Sequence, residues 1–194
     1  MINATLLDNS LELVTFKGIY NTSGEDELTG ELILDDFDLD IINEFGVPQV
    51  SEFSGLANGQ IQVEGILTKP QLEGYIDFEN ARFKIDYLNT HFVFDDRIRV
   101  EPDFFGIDYK PLADSKGNMG FVVASAFHED FTNWSYDISA DVENFYILNT
   151  TREENKLYFG QAFATGSVQL GGFEDKLEVT LDAATEKGTT INLP

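Results

Sequence analysis

Histidine occurs twice, at His91 and His128, and cysteine never. Without cysteine the chain has no disulfide framework, thiol nucleophile, zinc knuckle or iron–sulfur site. Neither histidine has an HxxxH or HxxE partner, so a metal centre would have to be assembled from distant carboxylates. The acidic runs Asp35-Asp36-Phe37-Asp38 and Asp95-Asp96 lack the one-three-five spacing and turn glycine of a calcium loop, and Glu25-Asp26-Glu27 reads as a solvated hairpin tip. No serine sits in a nucleophile elbow, and no glycine-rich loop leads into a helix to cradle phosphate. Trp134, the only tryptophan, is the best aromatic for a carbohydrate cleft, but no pair among the 35 acids stands out beside it. These residues predict no catalytic site, no metal and no cofactor.

Composition points the same way. The 194 residues are 42% hydrophobic and 13% aromatic, enough for one domain with a substantial apolar interior. A net charge of −23 makes the surface repel nucleic acid and anionic membrane headgroups. The acids are spread through the chain among 17 phenylalanines, which argues against disorder. No run approaches the roughly 20 apolar residues of a membrane span, and Met1-Ile2-Asn3-Ala4 lacks the basic and apolar regions of a signal peptide. Both ends enter and leave abruptly in strand-like sequence, so residues 1–194 read as a single segment of a longer protein.

The elements that must position any site are strands. Ile61, Val63 and Leu67 share a face with Gly65, while Gln60, Gln62 and Glu64 point the other way. Thr68-Lys69-Pro70 reads as the following turn. Leu72, Gly74, Ile76 and Phe78 resume the dry face, and a bulge at Asn80 shifts the phase so that Ala81, Phe83 and Ile85 continue it, giving a hairpin followed by a third strand. The same alternation returns at Tyr136–Val142 and at Leu177–Ala183. "GQAFATGSVQLGGFEDKLEVTLDA" echoes "GLANGQIQVEGILTKPQLEGYIDF", which suggests degenerate repeats of about 50 residues. Two places depart from strand grammar. Leu39–Phe45, closed by Gly46 and Pro48, predicts a turn or two of helix with Leu39, Ile42 and Phe45 on one side, and "LADSKGN" predicts a loop with turn chemistry at Asp114, Ser115, Gly117 and Asn118. Short connections elsewhere predict an antiparallel meander.

The dry face is unusually rich in small residues. Ala162, Ala164, Gly166, Val168 and Leu170, and Val122, Ala124 and Ala126, stand where a closed sandwich would want bulk. Two outcomes are open: the small residues line an unfilled trough, or phenylalanines from facing strands fill the space. For a trough, the lining residues are Ile61, Val63, Leu72, Ile76, Phe78, Phe83, Ile85, Val122, Ala124, Ala126, Ile138, Ala140, Val142, Ala162, Ala164, Val168, Leu170, Leu177, Val179 and Leu181. Gly65, Gly74, Gly166 and Gly171-Gly172 are the candidate creases of the bent sheet. Asp137, Asp141, Glu178 and Asp182 fall on the wet face.

The phrases "GQIQVEGILTKPQLEGYIDFENARFKIDYLNTHFVF", "LADSKGN", "YILNTT", "YFGQAFATGSVQLGG" and "ATEKGTTINLP" succeed one another in an order and spacing that resemble the C-terminal region of TamB-type translocation-and-assembly-module proteins, most closely Bacteroidetes-like ones. The resemblance covers 55–194, with 1–54 matching more loosely as N-terminal strands and a short helix. It implies an all-β fold, a curved antiparallel sheet folded lengthwise into an elongated hydrophobic groove (a β-taco) with one short helix. It also implies a periplasmic, envelope-spanning AsmA-like protein, anchored in the inner membrane of a Gram-negative bacterium, that shields phospholipid acyl chains in transfer between the two membranes. Such proteins pair with an Omp85-type barrel and are linked to outer-membrane protein assembly. This stretch lacks the family's anchor and final C-terminal stretch, and the family offers no catalytic residues to carry over. The competing expectation is a non-catalytic acidic β-sandwich interaction module of a cell-surface protein. Exposed end strands predict edge-to-edge association of this segment.

Overall fold

The computed structural model describes residues 2–8, 11–22, 27–47, 49–173 and 176–193. Residues 25 and 26 of the expected acidic hairpin tip, and Pro48, lie outside the described residues. The chain is all-β. Its strands are β1 (Ile2–Asp8), β2 (Leu11–Asn21), β3 (Glu27–Asp38), β4 (Val50–Ile66), β5 (Lys69–Ile85), β6 (Thr90–Phe94), β7 (Arg97–Glu101), β8 (Phe104–Asp114), β9 (Met119–Glu129), β10 (Thr132–Thr150), β11 (Phe159–Phe173), β12 (Lys176–Thr185) and β13 (Thr190–Asn192). They form one curved antiparallel sheet, not two sheets packed face to face. Its order is β1-β2-β3-β4-β5-β6-β8-β9-β10-β11-β12, with β7 bridging β5 and β8 beside β6, and β13 joining β11. Strand order thus follows chain order, as the short connections predict.

The expected bulge is present. Asn80 takes φ +49°, Ser54 pairs with Arg82 and Leu56 with Glu79, so β5 carries one extra residue there. Because the bulge is absorbed within a single ladder, Ala81–Ile85 is the second half of β5 and not a separate third strand. The turn before β5 is also tighter than Thr68-Lys69-Pro70. Ile66 pairs with Lys69, leaving Leu67 and Thr68 as a two-residue loop. Pro70 pairs with Gly65 inside the strand. β7 reaches β5 only at Gly74–Asp77, so the missing N–H at Pro70 deprives no neighbour of a bond.

Among the candidate creases, Gly74 is required by close approach: a Cβ there would lie 2.1 Å from the Gln60 carbonyl oxygen. Gly166 is required by conformation, with φ +149° opposite Val142, where the β10–β11 register shifts. Gly171 is ordinary extended backbone with room for a side chain.

The predicted helix is a 3₁₀ helix over Leu39–Glu44, whose N-terminus is capped by the Asp38 carboxylate accepting from the Asp40 N–H at 2.9 Å. Leu39 is buried against Ala57 and Ala81, with Phe37, Ile42, Phe53, Ile76 and Phe78 around it. Phe45 does not join them. It follows the last helical residue, where the chain turns out at Gly46 (φ +68°), and is 81% exposed.

Candidate functional site

Residues directly opposite in an antiparallel ladder share a face of the sheet, so register can be followed from strand to strand. One such row runs Ala4, Phe16, Leu32, Ile61, Gly74, Val100, Phe105, Ala126, Tyr136, Gly172, Leu177. It crosses the sheet from β1 to β12 without a charged residue. A parallel row runs Ile107, Ala124, Ile138, Leu170, Val179, and a third links Val122, Ala140, Val168 and Leu181. Val63 and Leu72 pair with each other, Ile76 with Gly59 and Ile98, and Phe78 with Ala57. Beyond the bulge, Phe83 pairs with Phe92 and Ile85 with Thr90; Val142, Ala164 and Ala162 continue the same face toward the other end of β10 and β11. The register therefore puts every predicted lining residue on one face.

Their burial is uneven. Ile61, Val63, Val122, Ala162 and Ala164 are buried, and Val100 at the middle of the long row is only 1% exposed. On β12 the same face is open: Leu177 is 47%, Val179 64% and Leu181 63% exposed. Leu6 at the opposite margin is 50% exposed. The curvature closes the centre of the apolar face on itself and leaves its two margins in water.

At one end the closure is made by the protein's own aromatic rings. Phe92 on β6 stacks on Phe145 of β10 with centroids 5.7 Å apart and planes within 9°, although two strands lie between them in the sheet. The Asn149 N–H donates to the Leu88 carbonyl at 3.0 Å, and Tyr87 meets Tyr158 edge-on at 5.5 Å. Burial, and then a hydrogen bond to Tyr87, push the Tyr158 phenol up to about 12.

Asp114 is the polar tie of this end. It is 3% exposed, and its carboxylate accepts from the N–H groups of Lys116 (2.7 Å), Asn118 (3.0 Å) and Tyr146 (2.6 Å) and from Asn118 Nδ2 (2.8 Å). The "LADSKGN" segment is thus the predicted turn, but Asp114 also fastens it to β10.

At the other end His128 packs among Phe131 (4.4 Å), Trp134 (4.7 Å) and Phe105 (5.6 Å). Its Nδ1 accepts the Phe131 N–H at 3.1 Å; its buried Nε2 has no hydrogen-bond partner. Trp134 Nε1 donates to the Phe131 carbonyl at 3.2 Å. Beside this cluster lies an open depression of ≈ 590 Å³ lined by Phe127, Glu129, Asn133, Ser135 and Phe173 as well. His91 lies far from His128 in the ladder and contacts Glu52 at 2.7 Å. Among the described residues no cluster of three or more metal-ligating groups occurs, and no helix is long and apolar enough to cross a membrane.

The opposite face carries Asp141 and Asp182, both paired with Ser167, and Asp137 and Glu178, both paired with Gly171. Hydrogen bonds from Lys84 and then His91 hold the Glu52 carboxyl below its ordinary range, and Arg97, bonded to both Asp77 oxygens at 2.6 Å, does the same for Asp77. Aromatic residues on this face were not anticipated: Tyr109 stacks on Phe121 at 4.8 Å and Phe104 meets Phe127 at 5.1 Å, all flanked by acids.

No family model, curated protein or solved structure matches the chain.

Proposed function

We infer that this chain is a segment of an envelope-spanning β-groove protein that shields phospholipid acyl chains in transfer between inner and outer membranes. The observation that carries the reading is the uncharged row from Ala4 to Leu177, one unbroken apolar face across the sheet whose β12 margin stands open to solvent. Exposing an acyl chain to water costs about 0.8 kcal/mol per CH₂, on the order of 12 kcal/mol for about 16 carbons. Val168 and Leu170 of β11, with Leu177, Val179 and Leu181 of β12, offer a wall that removes part of that penalty. Contact by burial is non-directional, so successive rungs hold different acyl chains with similar strength and permit sliding without deep traps. About ten strand spacings of about 4.8 Å give a wall near 50 Å, longer than one acyl chain. The acidic outer face weakly disfavours adhesion to anionic bilayers. In this reading the chain works in the periplasm. Phospholipid is its ligand, and an Omp85-type barrel is the partner of the full-length protein.

The test exploits the period of two. Detergent-free protein is extracted and its lipid measured by mass spectrometry, and a photo-crosslinking residue is placed at Leu170 or at the neighbouring Gln169, which faces the other way. Co-purifying phospholipid and adducts at Leu170 but not Gln169 are expected. Lipid-free protein, or equal adducts on both faces, overturns the reading.

A second reading is favoured by two observations. The Phe92–Phe145 stack and the near-complete burial of Val100 are what a self-filled, non-catalytic interaction module would have. Lipid-free protein in the same experiment selects it.

A further inference from the structure

We propose that the outer face of β9 is a docking site for a basic, apolar peptide segment of another protein. β9 is apolar on both sides. Its inner face carries Val122, Ala124 and Ala126, and its outer face sets Met119, Phe121, Val123 and Phe127 in solvent, with Ser125 the one polar residue among them. A strand with one wet face alternates apolar and polar residues, whereas a near-continuous apolar run marks a strand covered on both faces. Tyr109 of β8, also exposed, stacks on Phe121 and widens the strip. Their exposure shows that, among the described residues, no element covers them.

Charge states what the occupant must bring. On the β7 side of the strip the acids already hold arginines, Asp77 with Arg97, and Glu101 and Asp108 with Arg99. On the β10 side, among the described residues, Asp137, Asp141, Glu143 and Asp182 have no ion-pair partner. Three of these acids, Asp141, Glu143 and Asp182, surround an open depression of ≈ 580 Å³ together with Met119 and Phe121. The hollow has a local cause. Gly166 contributes no side chain opposite Val142, and the next pair is Phe145 with Ala164, so β10 carries an extra residue at Glu143-Asn144. Asp141 and Asp182 stand on either side of Ser167, two strand spacings or about 10 Å apart. A lysine or arginine side chain fits this arrangement, its aliphatic stem lying on Met119 and Phe121 and its charged head reaching the carboxylates. Apolar residues of the same segment then cover Val123 and its neighbours. The net charge of −23 repels nucleic acid, anionic membranes and a second copy of this chain alike. The site lies on the face opposite the lipid wall, so the inference holds whether or not lipid is bound.

Met119 gives a direct readout, because the only other methionine is Met1. The probe is the blocked synthetic peptide Lys-Ser-Leu-Ser-Leu-Ser-Lys, whose lysines and leucines share one face when it is extended. Fluorescence anisotropy shows saturable binding to the unsubstituted chain, and saturating peptide slows oxidation of Met119 by dilute peroxide at least threefold. Asp141→Asn combined with Asp182→Asn weakens binding about fivefold, and Phe121→Ala weakens it about tenfold. Asp35→Asn combined with Glu153→Gln removes the same charge elsewhere and changes binding by less than about twofold. Met119 oxidation that saturating peptide leaves unchanged overturns the proposal, and this readout needs no variant to fold. Equal effects of the two acid pairs overturn it, since the charge of the whole chain would then attract the peptide. Undiminished binding of a peptide with serine in place of both leucines overturns the apolar half of the site. Protection of Met119 by phosphatidylethanolamine vesicles and not by the peptide overturns the choice of occupant.

Discussion

Removing the Asp114 carboxylate should destabilise the chain far more than an ordinary turn substitution. Three of its four donors, the Lys116 N–H, the Asn118 N–H and Asn118 Nδ2, sit at the hairpin, where water can replace the lost acceptor. The fourth, the Tyr146 N–H, is buried and donates to Asp114 at 2.6 Å on a stretch of β10 beyond the β9 ladder, which ends at Val142. An unsatisfied buried donor costs about 1–3 kcal/mol, and hydrogen bonds to a charged acceptor contribute about 1.5–3 kcal/mol where water cannot compete. Counting the Tyr146 bond in full and the hairpin bonds at a fraction of that gives about 3–5 kcal/mol for Asp114→Ala. Asp114→Asn keeps one acceptor oxygen and turns an amide toward the remaining donors, so about 2 kcal/mol is expected. Ser115→Ala, in the same turn but outside this bond set, serves as the reference and should change stability by less than about 0.5 kcal/mol. Urea unfolding monitored by circular dichroism measures all three, with an unchanged slope showing that the same surface is exposed. If Asp114→Ala unfolds within about 0.5 kcal/mol of Ser115→Ala, the carboxylate does not fasten the hairpin to β10 and the reasoning fails.

Two further outcomes follow from the same end of the sheet. Phe92→Ala empties a buried ring site and should lower unfolding free energy by about 3–5 kcal/mol, whereas Phe121→Ala, on the opposite face and 41% exposed, should lose little more than its stack on Tyr109, about 1 kcal/mol; equal losses in chemical denaturation would mean that the interior is not closed there. The fold favours neutral Tyr158, whose ionisation is pushed up to about 12, so its contribution is complete below the ordinary phenol range near pH 10 and is lost as pH rises toward 12. Tyr158→Phe should flatten that alkaline decline in the urea midpoint, and a tyrosinate absorbance titration of the unsubstituted chain should show one phenol ionising late.

Much of this architecture is legible in the residues because a strand writes its two faces into alternate positions. Ile61, Val63, Ile138 and Val179 announce their common side by parity, and Asn80 announces the bulge by interrupting it. Parity does not encode curvature. Nothing local distinguishes Phe92, which meets Phe145 across two intervening strands, from Phe83, which merely neighbours it in the ladder. The depth at which Val100 is buried and the openness of Val179 depend on how far the sheet bends, a property of all the ladders together. Asp114 was legible only as a turn residue, because its short-range bonds to Lys116 and Asn118 are the usual ones and its bond to Tyr146 spans 32 positions. Phe45 shows the converse limit, since helical spacing predicts a side but not where the helix stops. The aromatic pairs beside the acids on the outer face escaped because strands with one wet face leave no reason to expect stacked rings there.

The meander order has a consequence for how the molecule is made. Each hairpin presents a finished edge to the next length of chain, so the sheet can grow in the direction of synthesis, one ladder at a time, with little loop to close at each step. The contact between the β6 region and β10 must wait for four strands to be in place, and the ion pair between Lys69 and Asp130 must wait for the β9–β10 turn. A ribosome releasing this chain from its N-terminus would therefore see β1 to β5 assemble first, and the curl would set only once Phe145 and Asn149 had emerged.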